Sequence, residues 1–281
     1  MKHNKISAWL LPAMVILSCT SVSYASDNGM AFEEVADSAT SGTVVAVSKG
    51  CTDATITLTA EMKNTTTSVP LPLTVDTIGK SRLPLITFTQ RQAGLPWEYH
   101  WKVTWKVGHR LSATGTINSS GYMLPFRSGV HAVIQAAHGQ FTHNIGSESE
   151  EAIDFEMPVG TLVSAARGGT VVATRSDCSE GGLDPRLWME TNYVVVRHSD
   201  GTYGEYLHLQ KNGVLVHVGD AVTAGQGIAL SGSTGYTSEP HLHFMVFYNI
   251  DGTTRKSIPV VFISSRGQFR LQEGIAYRAG L

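Results

Sequence analysis

This chain has no large excess of charge of either sign, few cysteines and few long apolar runs. The 21 Lys and Arg residues nearly balance the 23 Asp and Glu residues, which gives a formal net charge of −2. Nucleic-acid-binding proteins and strongly cationic wall-binding modules present a basic surface, and this composition supplies none. We therefore expect no nucleic-acid partner. At 281 residues the chain is long enough for two domains of ordinary size.

The N-terminus has the pattern of an export signal. Basic residues precede the apolar run 6–17, and Ser23 and Ala25 place small side chains at positions −3 and −1 of a cleavage site. We expect residues 1–25 to be a secretory signal peptide and the mature chain to have no transmembrane helix. A weak lipobox ending at Cys19 offers an alternative, in which a lipid anchors the protein. Both interpretations predict export.

Two cysteines remain after the signal peptide, Cys51 and Cys178. In an oxidising compartment such a pair is a disulfide candidate. Two unpaired thiols are the other interpretation, and the sequence leaves both open.

The fold class predicted from the sequence is all-β. Residues 26 to about 40 are small and polar, which suggests a loose leader. Alternation at residues 55–62 and 97–107 then indicates half-buried strands. The second segment carries an aromatic stripe that suits the inside of a sandwich better than a platform for sugar rings. We therefore predict a β-sandwich domain at residues 26–120.

The second predicted domain, residues 121–281, is rich in glycine turns between short strands. Turns every 8 to 12 residues predict an antiparallel β-rich domain. Residues 178–188 lack a strand period and are expected to form a loop on the rim. The expected strands cover residues 161–166, 170–174, 193–197, 206–209, 214–218, 228–230 and 241–247.

The chemistry of the chain centres on His241 and His243. Alternate side chains of a strand share one face, so these two imidazoles are expected to point the same way, about 7 Å apart. Further candidates are His143, Asp154 and His208. Two His and one Asp suit a catalytic zinc, which takes three protein ligands and keeps one position open. Two remaining histidines would suit proton transfer near neutral pH.

These motifs carry a resemblance to a known family. From Tyr122 to the end, the chain resembles the LytM/lysostaphin-type zinc endopeptidases, which cut peptide cross-bridges of bacterial cell walls. The resemblance rests on Thr142-His143, Asp154-Phe155, Tyr206-Leu207-His208-Leu209 and His241-Leu242-His243-Phe244, which occur in the family's order. It implies one Zn²⁺ held by His143, Asp154 and His243. It also implies that His208 and His241 are the catalytic histidines.

One interval departs from the best-known members of that family, in which His and Asp stand much closer together. Here ten residues separate His143 from Asp154. His138 lies just upstream and competes with His143, although Thr142-His143 matches the family better. The interval also contains Glu148, Glu150 and Glu151, which we expect to lie on a solvated loop rather than to act as ligands or as a base.

The function expected from the resemblance is a secreted zinc endopeptidase that hydrolyses the stem peptides or cross-bridges of peptidoglycan. The protein would be periplasmic or extracellular and associated with the cell wall. An inactive regulator that binds wall or an amidase partner is the main alternative. Such relatives usually lose metal or catalytic residues, whereas all five positions are filled here. A metallopeptidase acting on another Gly-rich or D-amino-acid-containing peptide is a third possibility.

Overall fold

Short strands joined by tight turns make up almost all of the regular structure, so the predicted all-β class is confirmed. The structure is a computed structural model, and it describes residues 29–79, 82–112, 115–136 and 142–279. The predicted signal peptide and Cys19 lie outside these residues. Within the described ranges, helical structure is limited to one 3₁₀ helix, Pro185–Met189.

The first group of strands is β1 Met30–Ser38, β2 Ser41–Ser48, β3 Asp53–Lys63, β4 Thr65–Thr67, β5 Leu73–Ile78, β6 Arg82–Gln90 and β7 Glu98–Val107. The second group is β8 Ser120–Tyr122, β9 Val130–Gln135, β10 Ile153–Glu156, β11 Leu162–Ser164, β12 Gly169–Arg175, β13 Gly181–Gly182, β14 Tyr193–Arg197, β15 Tyr203–Leu207, β16 Leu209–Val214, β17 Ala221–Val222, β18 Gly227–Ser231, β19 Gly235–Tyr236, β20 His241–Asn249, β21 Arg255–Ser257, β22 Val261–Ser264, β23 Gly267–Phe269 and β24 Ala276–Arg278.

The first group forms two sheets that contribute to a common apolar core. Their strand orders are β1-β2-β6-β4 and β5-β3-β7. Phe88 of β6 and Trp101 of β7 both belong to the buried cluster. On β7, Trp101 and Val103 are buried whereas Lys102 between them is exposed. The aromatic stripe of this strand therefore packs inward over part of its length, as alternation requires.

The segment expected to be a loose leader is instead β1, and that expectation is wrong. Met30 and Phe32 are buried in the core, and the strand pairs with β2 in antiparallel register from Met30 to Ser38. Two buried side chains at alternate positions leave little pattern in a stretch of otherwise small and polar residues. The partner strand supplies the hydrogen bonds that hold this edge, and that pairing is not visible in local sequence.

The predicted return strand through Leu209 breaks at His208. That residue has a φ of 62°, in the left-handed region, which a continuous strand cannot accommodate. β15 consequently ends at Leu207, and β16 continues in a separate three-stranded sheet of order β11-β18-β16. The strand expected at residues 214–218 is also wrong, because β16 ends at Val214 and the next four residues form no strand.

A nine-stranded sheet forms the centre of the molecule, with the order β17-β12-β14-β15-β20-β10-β9-β24 and β21 paired to β20. Strand β20 is buried along nearly its whole length. Leu242, Phe244 and Val246 enter an apolar cluster on one face of the sheet. Met245 and Phe247 point to the opposite face, where they join the cluster that includes the N-terminal sheets. Since His241 and His243 share parity with Met245, they lie on the face that those sheets cover.

Buried polar contacts join the N-terminal sheets to the central sheet. Asp53 of β3 is 1% exposed, and its carboxylate accepts hydrogen bonds from Arg197 Nη1 at 2.7 Å and Tyr203 Oη at 2.9 Å. At the end of β20, Asn249 Nδ2 donates to the carbonyl oxygens of Gly108 at 2.8 Å and Val107 at 3.1 Å. The two parts of the chain thus share a core and several buried hydrogen bonds.

The predicted domain boundary at residue 120 coincides with the start of β8, which pairs in parallel with β22 near the C-terminus. The division into residues 26–120 and 121–281 stays a prediction. None of the helical structure among the described residues is long and apolar enough to span a membrane.

Cys51 and Cys178 are both buried and free. The backbone of Cys51 forms an isolated antiparallel β-bridge with Ala173 of β12. The Cys178 thiol lies 3.4 Å from Glu190 Oε2. Burial, reinforced by the nearby Asp53 charge, raises the pKa of Cys51 to about 11, so this thiol stays protonated at neutral pH. The arrangement corresponds to the unpaired interpretation of the two cysteines.

Replacing Asn249 with Ala should lower the free energy of unfolding by about 1–3 kcal/mol, because the Val107 and Gly108 carbonyl groups lose this buried amide donor, while Gly108 keeps its hydrogen bond from Thr55 Oγ1. Urea unfolding of the purified protein measures the change. Gln268→Ala removes an exposed amide side chain and serves as the matched control. A loss below about 0.5 kcal/mol for Asn249→Ala would show that this residue does not join the two parts.

Candidate metal centre

Strand β20 and its two neighbours bring the candidate residues together. β10 pairs with β20 so that Asp154 lies opposite His243. On the other side, β15 places Leu207 opposite His243, so His208 follows at the end of that strand. The register of the central sheet therefore assembles side chains that are up to 89 residues apart in sequence.

His143 reaches the same point across the ten-residue interval. Its imidazole is fully buried, with Nε2 at 3.4 Å from His243 Nδ1 and 3.5 Å from Asp154 Oδ1. Tight turns shorten the intervening segment: Ser147 N donates to Asn144 O, and Ala152 N donates to Ser149 O. The competing candidate, His138, lies outside the described residues.

The three side chains form a compact triangle of ligand atoms. His143, Asp154 and His243 each offer one ligand atom within 4.8 Å of the others, and the shortest separation is 2.9 Å between His243 Nδ1 and Asp154 Oδ1. Around a tetrahedral zinc ion with bonds of about 2.0–2.1 Å, neighbouring ligand atoms stand about 3.3 Å apart. The triangle therefore fits such an ion without rearrangement.

The electrostatics of this triangle favour a positive charge next to Asp154. Burial opposes ionisation of Asp154, yet the charge of His243 and hydrogen bonds from His143 and His243 hold its pKa well below the usual range. Burial would lower the pKa of His243, but the Asp154 carboxylate outweighs it and raises that pKa. Asp154 is thus an anion, and its negative charge stabilises a proton on His243 or a metal cation that would replace that proton.

His208 and His241 face each other beside the triangle, with ring centroids 4.5 Å apart. Nδ1 of His208 donates to the Thr234 carbonyl at 2.7 Å, and Nδ1 of His241 donates to the Glu239 carbonyl at 2.8 Å. These bonds select the tautomer in which Nε2 of each ring carries no proton. Burial, with the charges of His241 and His243 nearby, lowers the pKa of His208 to about 3. Its imidazole is therefore neutral at pH 7.

The backbone around His208 is anchored by a buried amide. Asn192 is fully buried, and its side chain binds the carbonyl groups of Cys178 and Leu209 at 2.9 and 3.1 Å. Its own backbone N–H donates to Thr234 Oγ1. Asn192 thus positions the segments that precede and follow the site without lining the cleft. The left-handed conformation of His208 is held by this surrounding network.

Glycines allow the approach to β20 to pack closely on the rim segment. Gly235 has a φ of +86°, and a Cβ added there would stand 1.9 Å from Thr191 Oγ1. No other residue fits at this position. The close packing brings Thr234 to the place where its carbonyl oxygen accepts the proton of His208 Nδ1.

A cavity of about 1480 Å³ contains Asp154, His208, His241 and His243 in its lining. One wall is the rim segment, where Trp188 stacks on Tyr236 with ring centroids 4.7 Å apart. Residues 102–107 of β7 also line the cavity. Its volume exceeds the 300–1,000 Å³ that is common for small-molecule sites, which leaves room for an extended chain.

Two parts of this site differ from what the sequence predicts. Glu148 is not simply solvated: its carboxylate accepts a hydrogen bond from Lys106 Nζ at 2.8 Å and from the Arg255 backbone N–H at 3.1 Å. The contribution of β7 to the cavity was also missed, because only the alternation of that strand is visible in sequence. Neither feature leaves a local signal, since both depend on contacts between residues that are 42 or more positions apart.

Other histidines and tyrosines have structural roles or lie at the surface. His131 is buried and bonds the Glu156 carbonyl, while His217 is 92% exposed in its side chain. Tyr203 and Tyr206 are both fully buried, so they belong to the core rather than to the cleft.

Comparison with known proteins finds one family match. The family described as Peptidase family M23 matches residues 148–255. That span contains Asp154, His208, His241 and His243, and it begins just after His143.

Curated relatives align with the same part of the chain. Peptidoglycan DD-endopeptidase ShyA of Vibrio cholerae serotype O1 is 43% identical over 91 residues, which cover 32% of this chain and 18% of that protein. Lysostaphin of Staphylococcus simulans is 34% identical over 131 residues, which cover 46% of this chain and 24% of that protein. The chain thus spans less than a quarter of the length of either relative.

Among solved structures, the chain is similar to the catalytic domain of lysostaphin from Staphylococcus simulans. The identity is 28%, the TM-score is 0.31, and the match covers 46% of this chain and 88% of that one.

Replacing His243 with Ala should abolish binding of a divalent transition metal, because the remaining two side chains leave the triangle incomplete. Metal content after dialysis against a limiting metal buffer, measured by atomic emission, gives the stoichiometry. His217→Ala changes an exposed histidine and should retain wild-type metal content. Stoichiometric metal in the His243→Ala protein would contradict the arrangement described here.

Proposed function

We propose that the protein is a zinc-dependent endopeptidase that hydrolyses peptide bonds in the stem peptides or cross-bridges of peptidoglycan, since residues 148–255 match the family described as Peptidase family M23. The observation that carries the proposal is one cavity in whose lining Asp154 and His243, two of the three clustered residues, lie together with the imidazoles of His208 and His241. The names of the relatives, a peptidoglycan DD-endopeptidase and lysostaphin, support the choice of substrate.

His143, Asp154 and His243 would hold one Zn²⁺. Two imidazoles and one carboxylate are the donor set that catalytic zinc takes, with a fourth position free for water or substrate. When bound, the ion supplies Lewis acidity to the scissile carbonyl and lowers the pKa of a coordinated water.

His208 and His241 would carry the proton transfers. Each keeps its Nε2 free to accept a proton, because Nδ1 is committed to a backbone carbonyl. One imidazole can take the proton of the attacking water and give it to the departing amine. Once protonated, the ring also stabilises the negative charge on the tetrahedral intermediate. The closeness of the two rings suits a division of these tasks between them.

Export follows from the substrate and from the sequence. A peptidoglycan hydrolase acts outside the cytoplasm, and residues 1–25 have the pattern of a secretory signal peptide. We infer a periplasmic or extracellular protein associated with the cell wall.

Purified peptidoglycan should release new amino groups when it is incubated with the protein, and chelator should stop the release because the ligand triangle would be emptied. The amino groups are quantified by derivatisation, and mass analysis of the fragments identifies the bond that is cut. Restoring Zn²⁺ after chelation controls for damage to the substrate. Absence of release, combined with retained binding to peptidoglycan, would support the inactive regulator instead.

His208→Ala should reduce the rate of this release by about 10²–10⁴-fold while leaving zinc content unchanged, because a proton carrier is lost and the ligands are kept. Activity and metal content are measured on the same preparation, with His217→Ala as the exposed control. If the His208→Ala protein lost its zinc, the division between ligands and proton carriers would be wrong.

A further inference from the structure

The metal centre lies on the face of the central sheet that the N-terminal sheets cover. His241 and His243 share strand parity with Met245 and Phe247, and these last two belong to the cluster that the N-terminal strands help to fill. Strand β7 continues from this contact into the cavity, where residues 102–107 line the wall. The N-terminal part of the chain therefore supplies part of the surface that a substrate meets.

This wall is fixed. Asp53 is bound to Arg197 and Tyr203 in a buried cluster. Asn249 binds the carbonyl groups at the end of β7. At Gly252, an added Cβ would stand 2.4 Å from the Thr104 carbonyl oxygen, so the backbones are in direct contact. Moving β7 away would break buried hydrogen bonds and expose core side chains, which argues against a lid.

The charges of the cavity are balanced except at one residue. Four cationic side chains line it. Lys106 is paired with Glu148, and Arg255 with Glu205. Arg175 is paired with Glu190 at 3.1 Å. The carboxylate of Asp154 is directed to the metal-ligand triangle. The remaining cation, Lys102, is exposed on β7 and has no ion-pair partner among the described residues.

Lys102 also lines the same cavity as its paired neighbour Lys106. Lys102 and Lys106 stand four residues apart on one strand, so they share a face and are separated by about 13 Å. Lys106 reaches Glu148, a residue of the cavity wall. The backbone of Lys102 is thus held on a paired strand beside the cleft, and its ammonium group has no ion-pair partner among the described residues.

We propose that Lys102 binds a free carboxylate of the peptide substrate, which makes β7 a specificity-determining wall of the cleft. The proposal rests on the proposed function, because peptidoglycan peptides carry free carboxylates. A lysine binds a carboxylate as a point charge, and such a contact on a preformed surface adds to substrate affinity. The N-terminal sheets thereby select substrates that the zinc-binding residues alone would not distinguish.

The test compares two probes and three variants. The probes are soluble cross-linked muropeptides, either untreated or with their carboxyl groups converted to amides. The variants are Lys102→Ala, Lys102→Arg and Lys63→Ala. Lys63 is an exposed lysine of the same sheet that does not line the cavity, so its removal controls for general charge effects. Binding is measured by titration calorimetry, and hydrolysis is followed separately as KM and kcat.

Lys102→Ala should weaken binding of the untreated probe about 5–10-fold and raise KM by a similar factor, with little change in kcat. Binding of the amidated probe should not change. Lys102→Arg should retain most of the affinity, and Lys63→Ala should behave as wild type. Equal loss for both probes, no loss for either, or failure of the wild-type protein to bind the untreated probe would overturn the proposal.

The two proposals fail in different ways. Binding of the untreated probe that depends on Lys102, without hydrolysis, would refute the peptidase function and leave the carboxylate site standing. Hydrolysis that proceeds equally well on both probes, and equally well in Lys102→Ala, would refute the carboxylate site and leave the peptidase standing.

Discussion

The two-residue repeat of strand β20 determines which of its side chains enter each apolar cluster and which form the site. One set of alternate side chains, Leu242, Phe244 and Val246, packs into the core on one face of the central sheet. The other set begins with His241 and His243 and continues into Met245 and Phe247, which pack under the N-terminal sheets. Site and core therefore share one rigid strand, and a shift of register by a single residue would turn both histidines into the opposite core.

The strand register brings Asp154 and the histidines together, and their mutual electrostatics then set their charge states. Desolvation would keep Asp154 neutral in isolation, and only the surrounding imidazoles hold it as an anion. The same crowding keeps His208 neutral. The cluster thus combines one ionised carboxylate with one uncharged imidazole in a space a few ångströms wide. Burial opposes charge on both types of group, so it favours the neutral state of His208, whereas the ionised state of Asp154 depends on its neighbours.

Much of the C-terminal half could be predicted from local sequence. Strand β14 covers the predicted residues, from Tyr193 to Arg197, and His241 and His243 do lie on one strand face. The roles of the site residues came from motif resemblance rather than from spacing. The sequence does not show how the ten residues between His143 and Asp154 bring these two side chains together. The conformation of that segment depends in part on the ion pair between Glu148 and Lys106, which joins distant parts of the chain.

The N-terminal half was harder to predict, for a related reason. β1 carries only Met30 and Phe32 as apolar evidence, and its pairing with β2 decides its conformation. In the C-terminal half, the break at His208 also could not be predicted, because its residue type does not indicate a positive φ within a strand-forming sequence. In both cases tertiary contacts outweigh local preference.

The shared core also sets how the chain can be divided. A fragment that starts at residue 121 would leave Val195, Met245 and Phe247 without the side chains that now cover them. An apolar patch next to His241 and His243 would then face water, and such surfaces promote association. Excising the C-terminal part for engineering would require polar replacements at these positions, and sedimentation of the bare fragment would reveal whether it self-associates. The N-terminal sheets thus cover an apolar face of the central sheet that would otherwise be exposed to solvent.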